Sequence, residues 1–207
     1  TTALLLAAPV VYFFFFFFFS LEPEKRILAS LFQSVSPRTA GFNTVDLASL
    51  SEAGQCITIV LMLIGGSPGS TAGGMKTTTV AVLFATAIST FRRQESGHFF
   101  GRRVDDDVVK NAATILVMYL ALFFFGGLTI SIAEKLPMLT CLFEAASAVG
   151  TAGLPLGITL GLGIVSKIIL VPLMFCGRVG GLTLIFAALS GTQTNVSKFP
   201  LEKITVG

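Results

Sequence analysis

Apolar residues run in long blocks along this chain, and the lengths of the blocks predict its elements. Residues 3–20, 51–91, 108–133 and 161–189 are apolar almost throughout, and two short apolar blocks, 27–35 and 137–149, lie between them. About 20 apolar helical residues cross a bilayer. Residues 3–20, which include seven consecutive Phe from Phe13 to Phe19, are roughly that long and read as a lipid-facing helix. The blocks at 27–35 and 137–149 are far too short to cross, so the pattern predicts re-entrant helices there. Residues 51–91 make about twice a spanning length, broken by Gly65-Gly66-Ser67-Pro68-Gly69-Ser70-Thr71-Ala72-Gly73-Gly74. In a helix interior Gly is worse than Ala by about 1 kcal/mol and Pro by about 3. The pattern predicts a helix, a loop at membrane depth and a second helix from Met75; the other reading is one kinked helix whose small residues allow close packing.

Each short block runs into a turn. Ser36-Pro37-Arg38-Thr39-Ala40-Gly41-Phe42-Asn43-Thr44 follows the first, and Gly150-Thr151-Ala152-Gly153-Leu154-Pro155 follows the second. Pro37 disfavours helix at Ser36, and the glycines permit backbone that a Cβ would forbid. Irregular backbone at membrane depth survives only where protein buries it or where it lines a water-filled path.

The two halves repeat. Leu61-Met62-Leu63-Ile64-Gly65-Gly66 pairs with Leu173-Met174-Phe175-Cys176-Gly177-Arg178; 112 residues separate Gly65 from Gly177, Thr39 from Thr151 and Gly41 from Gly153. Phe32-Gln33 and Phe143-Glu144 match at 111, a one-residue slip. Each copy has an even number of crossings, so the copies share one orientation about an axis along the membrane normal.

Composition narrows the class. The 207 residues are 53% hydrophobic and 12% charged, with mean hydropathy +0.85, about half the charge of a soluble domain. The fold class is an all-α polytopic membrane protein with two parallel repeats. Cys56, Cys141 and Cys176 all fall in apolar segments and read as packing residues. Arg92, Arg93, His98, Arg102, Arg103 and Lys110 cluster in one connection, which the positive-inside rule makes cytoplasmic and which puts both turns toward the outside. Asp105, Asp106 and Asp107 read as the cap and dipole partners of the next helix, ahead of a metal site. Pro172 and Gly177 are expected kink points in the last span, and the polar tail is 190–207. An enzyme is not expected: the membrane segments hold no His, no paired carboxylates and no Gly-x-Ser-x-Gly elbow. No nucleic-acid partner and no covalently bound cofactor is expected.

The chemistry left is that of main-chain oxygen. A dehydrated monovalent cation needs several oxygens at short range, and successive inward carbonyls supply them without a carboxylate. The candidate filter is Thr39, Ala40, Gly41 and Phe42 with Gly150, Thr151, Ala152 and Gly153. The Thr hydroxyls can add ligands, and the re-entrant helices end at the turns with their partial negative charge. The candidate gate is Gly65, Gly66, Ser67, Pro68, Gly69, Ser70, Thr71, Ala72, Gly73 and Gly74, with Lys76 and Arg178. A charge in an apolar helix needs a partner or water. Arg178, whose repeat counterpart is Gly66, is expected below the filter, repelling cations or pairing with the loop; the other reading is a pair with a carboxylate. Lys76 is expected to snorkel to the cytoplasm, and Arg38 and Glu144 are expected to be packing or filter-bracing groups with no ion contact.

The motifs at 32–44, 65–79, 143–147, 150–154 and Gly177-Arg178-Val179-Gly180 resemble the membrane subunit of bacterial Ktr potassium transporters, in the Trk/Ktr/HKT superfamily. The resemblance runs almost end to end. It implies one pore from four linked repeats of outer helix, pore helix and inner helix, of which this chain is the third (1–95) and fourth (111–190), joined by a cytoplasmic linker (96–110) and followed by a tail (191–207). It implies Gly41 and Gly153 as filter glycines, 66–74 as the intramembrane gating loop and Arg178 as the arginine beneath the filter. The transported ligand would be potassium. The implied partners are the other two repeats, a second membrane subunit in a homodimer, a cytoplasmic ring of nucleotide-binding regulatory subunits and the lipid bilayer of the plasma membrane. A sodium- or potassium-coupled secondary transporter, with a broken helix in both repeats, and a non-conducting truncated paralogue are the rival readings.

Overall fold

The computed structural model describes residues 2–18, 22–93, 98–99 and 102–180. The far end of the expected last span, to residue 189, and the tail lie outside the described residues.

The first apolar block is shorter as a helix than expected. Helix α1 (Thr2–Tyr12) passes into a single π turn (Phe13–Phe17), closed by a bond from Phe18 N to the Phe13 carbonyl at 2.9 Å. Five successive benzyl side chains crowd the last turn, and their rings pack edge-on, as Phe14 on Phe15 and Phe17 on Phe18. Helix α2 (Pro23–Val35) turns back against α1, with Pro23 in its first turn, where its fixed φ and missing N–H do no harm. Helix α3 (Glu52–Leu63) starts at Ser51, whose Oγ accepts from Gly54 N at 3.3 Å. Helix α4 (Thr77–Phe91) follows after a loop, so the Gly-rich run is a true break and not a kink. Helix α4 starts two residues later than the expected Met75 because Met75 is drawn into a bridge with Ile64. A two-residue hairpin, β1 (His98–Phe99) with β2 (Arg102–Arg103), leads to α5 (Asp106–Glu134). Asp105 caps α5, its carboxylate accepting from Asp107 N at 3.4 Å, as the acidic triplet led one to expect. Helices α6 (Met138–Val149) and α7 (Ile164–Val179) complete the described fold.

Helix α6 is the centre of the packing. It contacts α3, α5 and α7, and eight of its residues, Cys141 and 143–149, are buried. Small residues let the helices close on one another: a Cβ on Gly126 would lie 2.5 Å from Leu173 Cδ1, and one on Gly127 2.6 Å from Leu142 Cδ2. Gly177, one of the expected kink points, lies at a helix crossing, where a Cβ would fall on the Val149 carbonyl oxygen. Glu134 fastens the end of α5 to the start of α7, accepting from Gly163 N (2.7 Å) and Ser166 Oγ (2.5 Å). Helix α5, at 29 residues, is the one helix among the described residues long and apolar enough to cross a membrane alone. Its Val117, Phe125 and Ile132 are 66–69% exposed, as lipid-facing groups would be.

Candidate functional site

The two Thr-Ala-Gly turns share one backbone conformation. Thr39 and Gly41 have φ of 65° and 75°; Thr151 and Gly153 have 53° and 76°, and the Ala between each pair has no positive φ. Left-handed Thr is uncommon, because a β-branched side chain clashes there. Its appearance twice, at the repeat offset, marks imposed rather than incidental geometry. Alternating left-handed and ordinary residues turn successive peptide groups to one side. The turns are also anchored alike: Gly41 N bonds the Ser36 carbonyl (3.1 Å) and Ala152 N bonds the Ser147 carbonyl (2.9 Å), each five residues back at the end of its short helix.

The turns meet. A Cβ built on Gly41 would land on the Ala152 carbonyl oxygen, so the first turn lies against the main chain of the second. At Gly153 nothing lies within 4 Å of the corresponding position. The partners at the next position differ, with Phe42 73% exposed and Leu154 at 1%.

The Gly-rich loop is drawn into the same place. Its two ends are clasped: Gly65 N bonds the Met75 carbonyl (2.8 Å), Met75 N the Leu63 carbonyl (3.0 Å) and Thr77 N the Gly66 carbonyl (3.1 Å). Arg38, one residue before Thr39, donates from Nη2 to the Gly65 carbonyl at 2.9 Å. Gly73 faces Thr151, whose Cγ2 would lie 2.7 Å from a Cβ on that glycine. Three successive carbonyls near the tip accept from cations. Arg178 Nη1 donates to Thr71 O at 2.7 Å, and Lys76 Nζ to Ser70 O (3.0 Å) and Ala72 O (2.6 Å).

These contacts decide two expectations. Arg178 pairs with the loop, and among the described residues its ion-pair partner is no carboxylate. Lys76 does not snorkel away. The tight turn leaves carbonyls without main-chain donors, and the nearby ammonium satisfies both them and itself.

Glu144 is 4% exposed and braces the segment after the second turn, accepting from Leu156 N (3.0 Å) and Thr159 Oγ1 (2.8 Å). Sequence reading left it as a packing or bracing group and missed its partners, and missed how the first repeat manages without them. There Gln33 is 2% exposed with its Nε2 unpaired, while Asn43 Oδ1 takes Val45 N (3.2 Å) and Asp46 Oδ1 takes Ala48 N (3.0 Å). The Asx pattern Asn43-x-Val45 and Asp46-x-Ala48 was the available signal. Glu144→Ala leaves a buried N–H and a hydroxyl unpaired, each worth about 1–3 kcal/mol. The expected result is a fall of several degrees in the melting temperature of the full-length protein in detergent, with Glu144→Gln losing less because one carbonyl acceptor stays. Two cavities flank the site. One of about 630 Å³ is lined by Glu144, Thr151, Gly153 and Arg178 among others, and one of about 620 Å³ lies between the loop tip, Tyr119 and Arg178.

Two short helices that each end in a left-handed turn, one of them largely buried, set among apolar helices, define an all-α polytopic membrane protein. Residues 16–197 match the TrkH family, described as cation transport protein, and the chain belongs to that family. It is 36% identical over 182 residues to the Ktr system potassium uptake protein B of Bacillus subtilis (strain 168), covering 88% of this chain and 41% of that one. It is 35% identical over 190 residues to the potassium/sodium uptake protein NtpJ of Enterococcus hirae, covering 88% and 42%. The crystal structure of the potassium transporter TrkH from Vibrio parahaemolyticus shares its fold, with a TM-score of 0.75 at 21% identity over 90% of this chain and 42% of that one. The chain thus spans about two fifths of the length of these relatives.

Proposed function

We propose that this chain is half of a potassium-uptake pore, in which the turns at 39–42 and 150–153 offer main-chain oxygen to a dehydrated potassium ion and the loop 65–74 opens and closes the path. The contact of Gly41 with the Ala152 carbonyl carries the reading, because it joins two equivalent left-handed turns at one place. A filter needs oxygens from several chains of backbone around one axis. Two turns give half a ring. Helix α6 packs against the inner helix of the repeat before it, α3, whereas α2 packs mainly on α1 and leaves Ile27, Leu28, Leu31 and Val35 46–72% exposed. A preceding inner helix, belonging to a further repeat, would cover that face. On this reading the turns face outward across the plasma membrane, the connection at 92–110 is cytoplasmic, and the membrane potential drives uptake. A relative named as protein B of a Ktr system supports further components as partners; on this reading they are a second membrane subunit and a cytoplasmic nucleotide-binding ring. The secondary-transporter rival needs a broken inner helix in both repeats; α3 breaks at Leu63, whereas among the described residues α7 runs through the counterpart of that position, Phe175, to Val179.

The test uses the full-length protein containing this segment, reconstituted in liposomes with a potassium gradient. Potassium-dependent flux that exceeds sodium flux and follows the imposed voltage is expected. Flux that saturates at the slow turnover of alternating access, or none in the presence of all partners, would overturn the reading.

A further inference from the structure

Resting on the reading of 65–74 as a gate, we propose that Arg38 is a positioning residue that makes the neck of this loop part of the filter, so that gating moves only the tip. The loop divides into two zones by burial and by bonding. At the neck, Ile64, Gly65, Gly73, Gly74 and Met75 are all buried. The main-chain clasp between Leu63, Gly65 and Met75 holds the neck shut, and a third bond ties Gly66 to Thr77 at the start of α4. The neck touches both filter turns: Arg38 reaches out from the first to hold Gly65 O, and Gly73 rests against Thr151 of the second. The tip, 67–71, is exposed. Beyond its own turn, from Ser70 N to Ser67 O at 3.1 Å, it is held by the side chains of Lys76 and Arg178. Side-chain tethers on exposed backbone open at low free energy, whereas a buried main-chain clasp opens only with its surroundings. The guanidinium suits the neck role because its charge strengthens the hydrogen bond to the Gly65 carbonyl.

A consequence follows for the filter. Moving the neck would drag Gly65 away from Arg38 and Gly73 away from Thr151, and so disturb both turns. Confining motion to the tip lets the path open while the ion-binding geometry stays fixed. Arg38 is therefore expected to set how far the gate's motion is insulated from selectivity.

The experiment measures spin-label distances in the full-length protein. Labels are attached through a keto amino acid, so the native cysteines stay in place. Val117, exposed on α5, is the reference position, paired in one sample with Ser70 at the tip and in another with Thr78, one residue past the neck. Between potassium and choline buffers the Val117–Ser70 distance is expected to shift and the Val117–Thr78 distance to stay put. In Arg38→Gln the Val117–Thr78 distribution should broaden and shift with the tip, and the potassium-to-sodium flux ratio should fall. Arg38→Lys, which keeps one charged donor, should lie between. Thr78 moving as far as Ser70 in the unsubstituted protein would overturn the proposal, as would Arg38→Gln that melts normally and leaves both distributions unchanged. The distances do not depend on transport. A protein that moves no potassium yet keeps its tip and neck distinct would refute the pore reading and leave the division of the loop standing.

Discussion

Gly41→Ser in the full-length protein is expected to cost most of its discrimination between potassium and sodium, and to cost more than the same change at Gly153. Both glycines sit at left-handed φ, 75° and 76°, where a side chain adds roughly 1–2 kcal/mol of strain. Only at Gly41 does the new Cβ also fall on main chain, the Ala152 carbonyl oxygen of the opposite turn. Backbone cannot yield as a flexible side chain would, and overpacking of this kind adds about 1–3 kcal/mol. Each 1.36 kcal/mol is about a factor of ten. The potassium-to-sodium flux ratio should therefore drop by at most about fivefold to thirtyfold for Gly153→Ser and by about thirtyfold or more for Gly41→Ser. Paired flux measurements in liposomes check the order. Equal losses at the two sites would mean that the turns do not bear on one another as the structure has them.

How far this arrangement could be read from the residues follows from which forces were local. The likeness of the two turns was legible because Thr-Ala-Gly recurs after a short helix, at 39–41 and again at 151–153, and both copies take the same left-handed φ at Thr and Gly. The break in the second span was legible because Gly and Pro cannot sustain a helix across 65–74. Arg178 was half legible. Its charge required a partner, but the choice between a carboxylate and loop carbonyls depended on packing that brings Arg178 to Thr71 across a sequence separation of 107, and Thr71 O was not a feature that sequence displays. Lys76 was misread for the same reason, since snorkelling and carbonyl capture satisfy an ammonium equally until the turn's geometry is known. The start of α4 slipped to Thr77 because Met75 makes a bridge with Ile64 that only the closed neck creates. The shortening of the first helix came from crowding among the phenyl rings, which composition alone reads as uniform apolar length.

Arg178→Gln is expected to raise potassium flux by about tenfold to a hundredfold while leaving the potassium-to-sodium ratio near its original value. In the present conformation Arg178 holds the tip by one charge-assisted bond to Thr71 O, at 2.7 Å. Hydrogen bonds to charged groups contribute about 1.5–3 kcal/mol, and removing that much from one of two states shifts their ratio by the stated factor. Selectivity should hold because the contacts of the turns with each other and with the neck do not include this side chain. Lys76→Gln tests the same idea independently, as Lys76 holds the carbonyl of Ser70 in the tip and that of Ala72 just beyond it. The double substitution should exceed either single one, and removal of 67–72 should give the upper limit of flux. A second origin for the same increase is relief of simple charge repulsion in the path. Arg178→Lys separates the two, because it keeps the charge and shortens the reach to Thr71. Tethering predicts that it conducts between the native protein and Arg178→Gln, and repulsion predicts that it conducts as the native protein does. Flux unchanged in Arg178→Gln and in the deletion alike would remove the loop from the path.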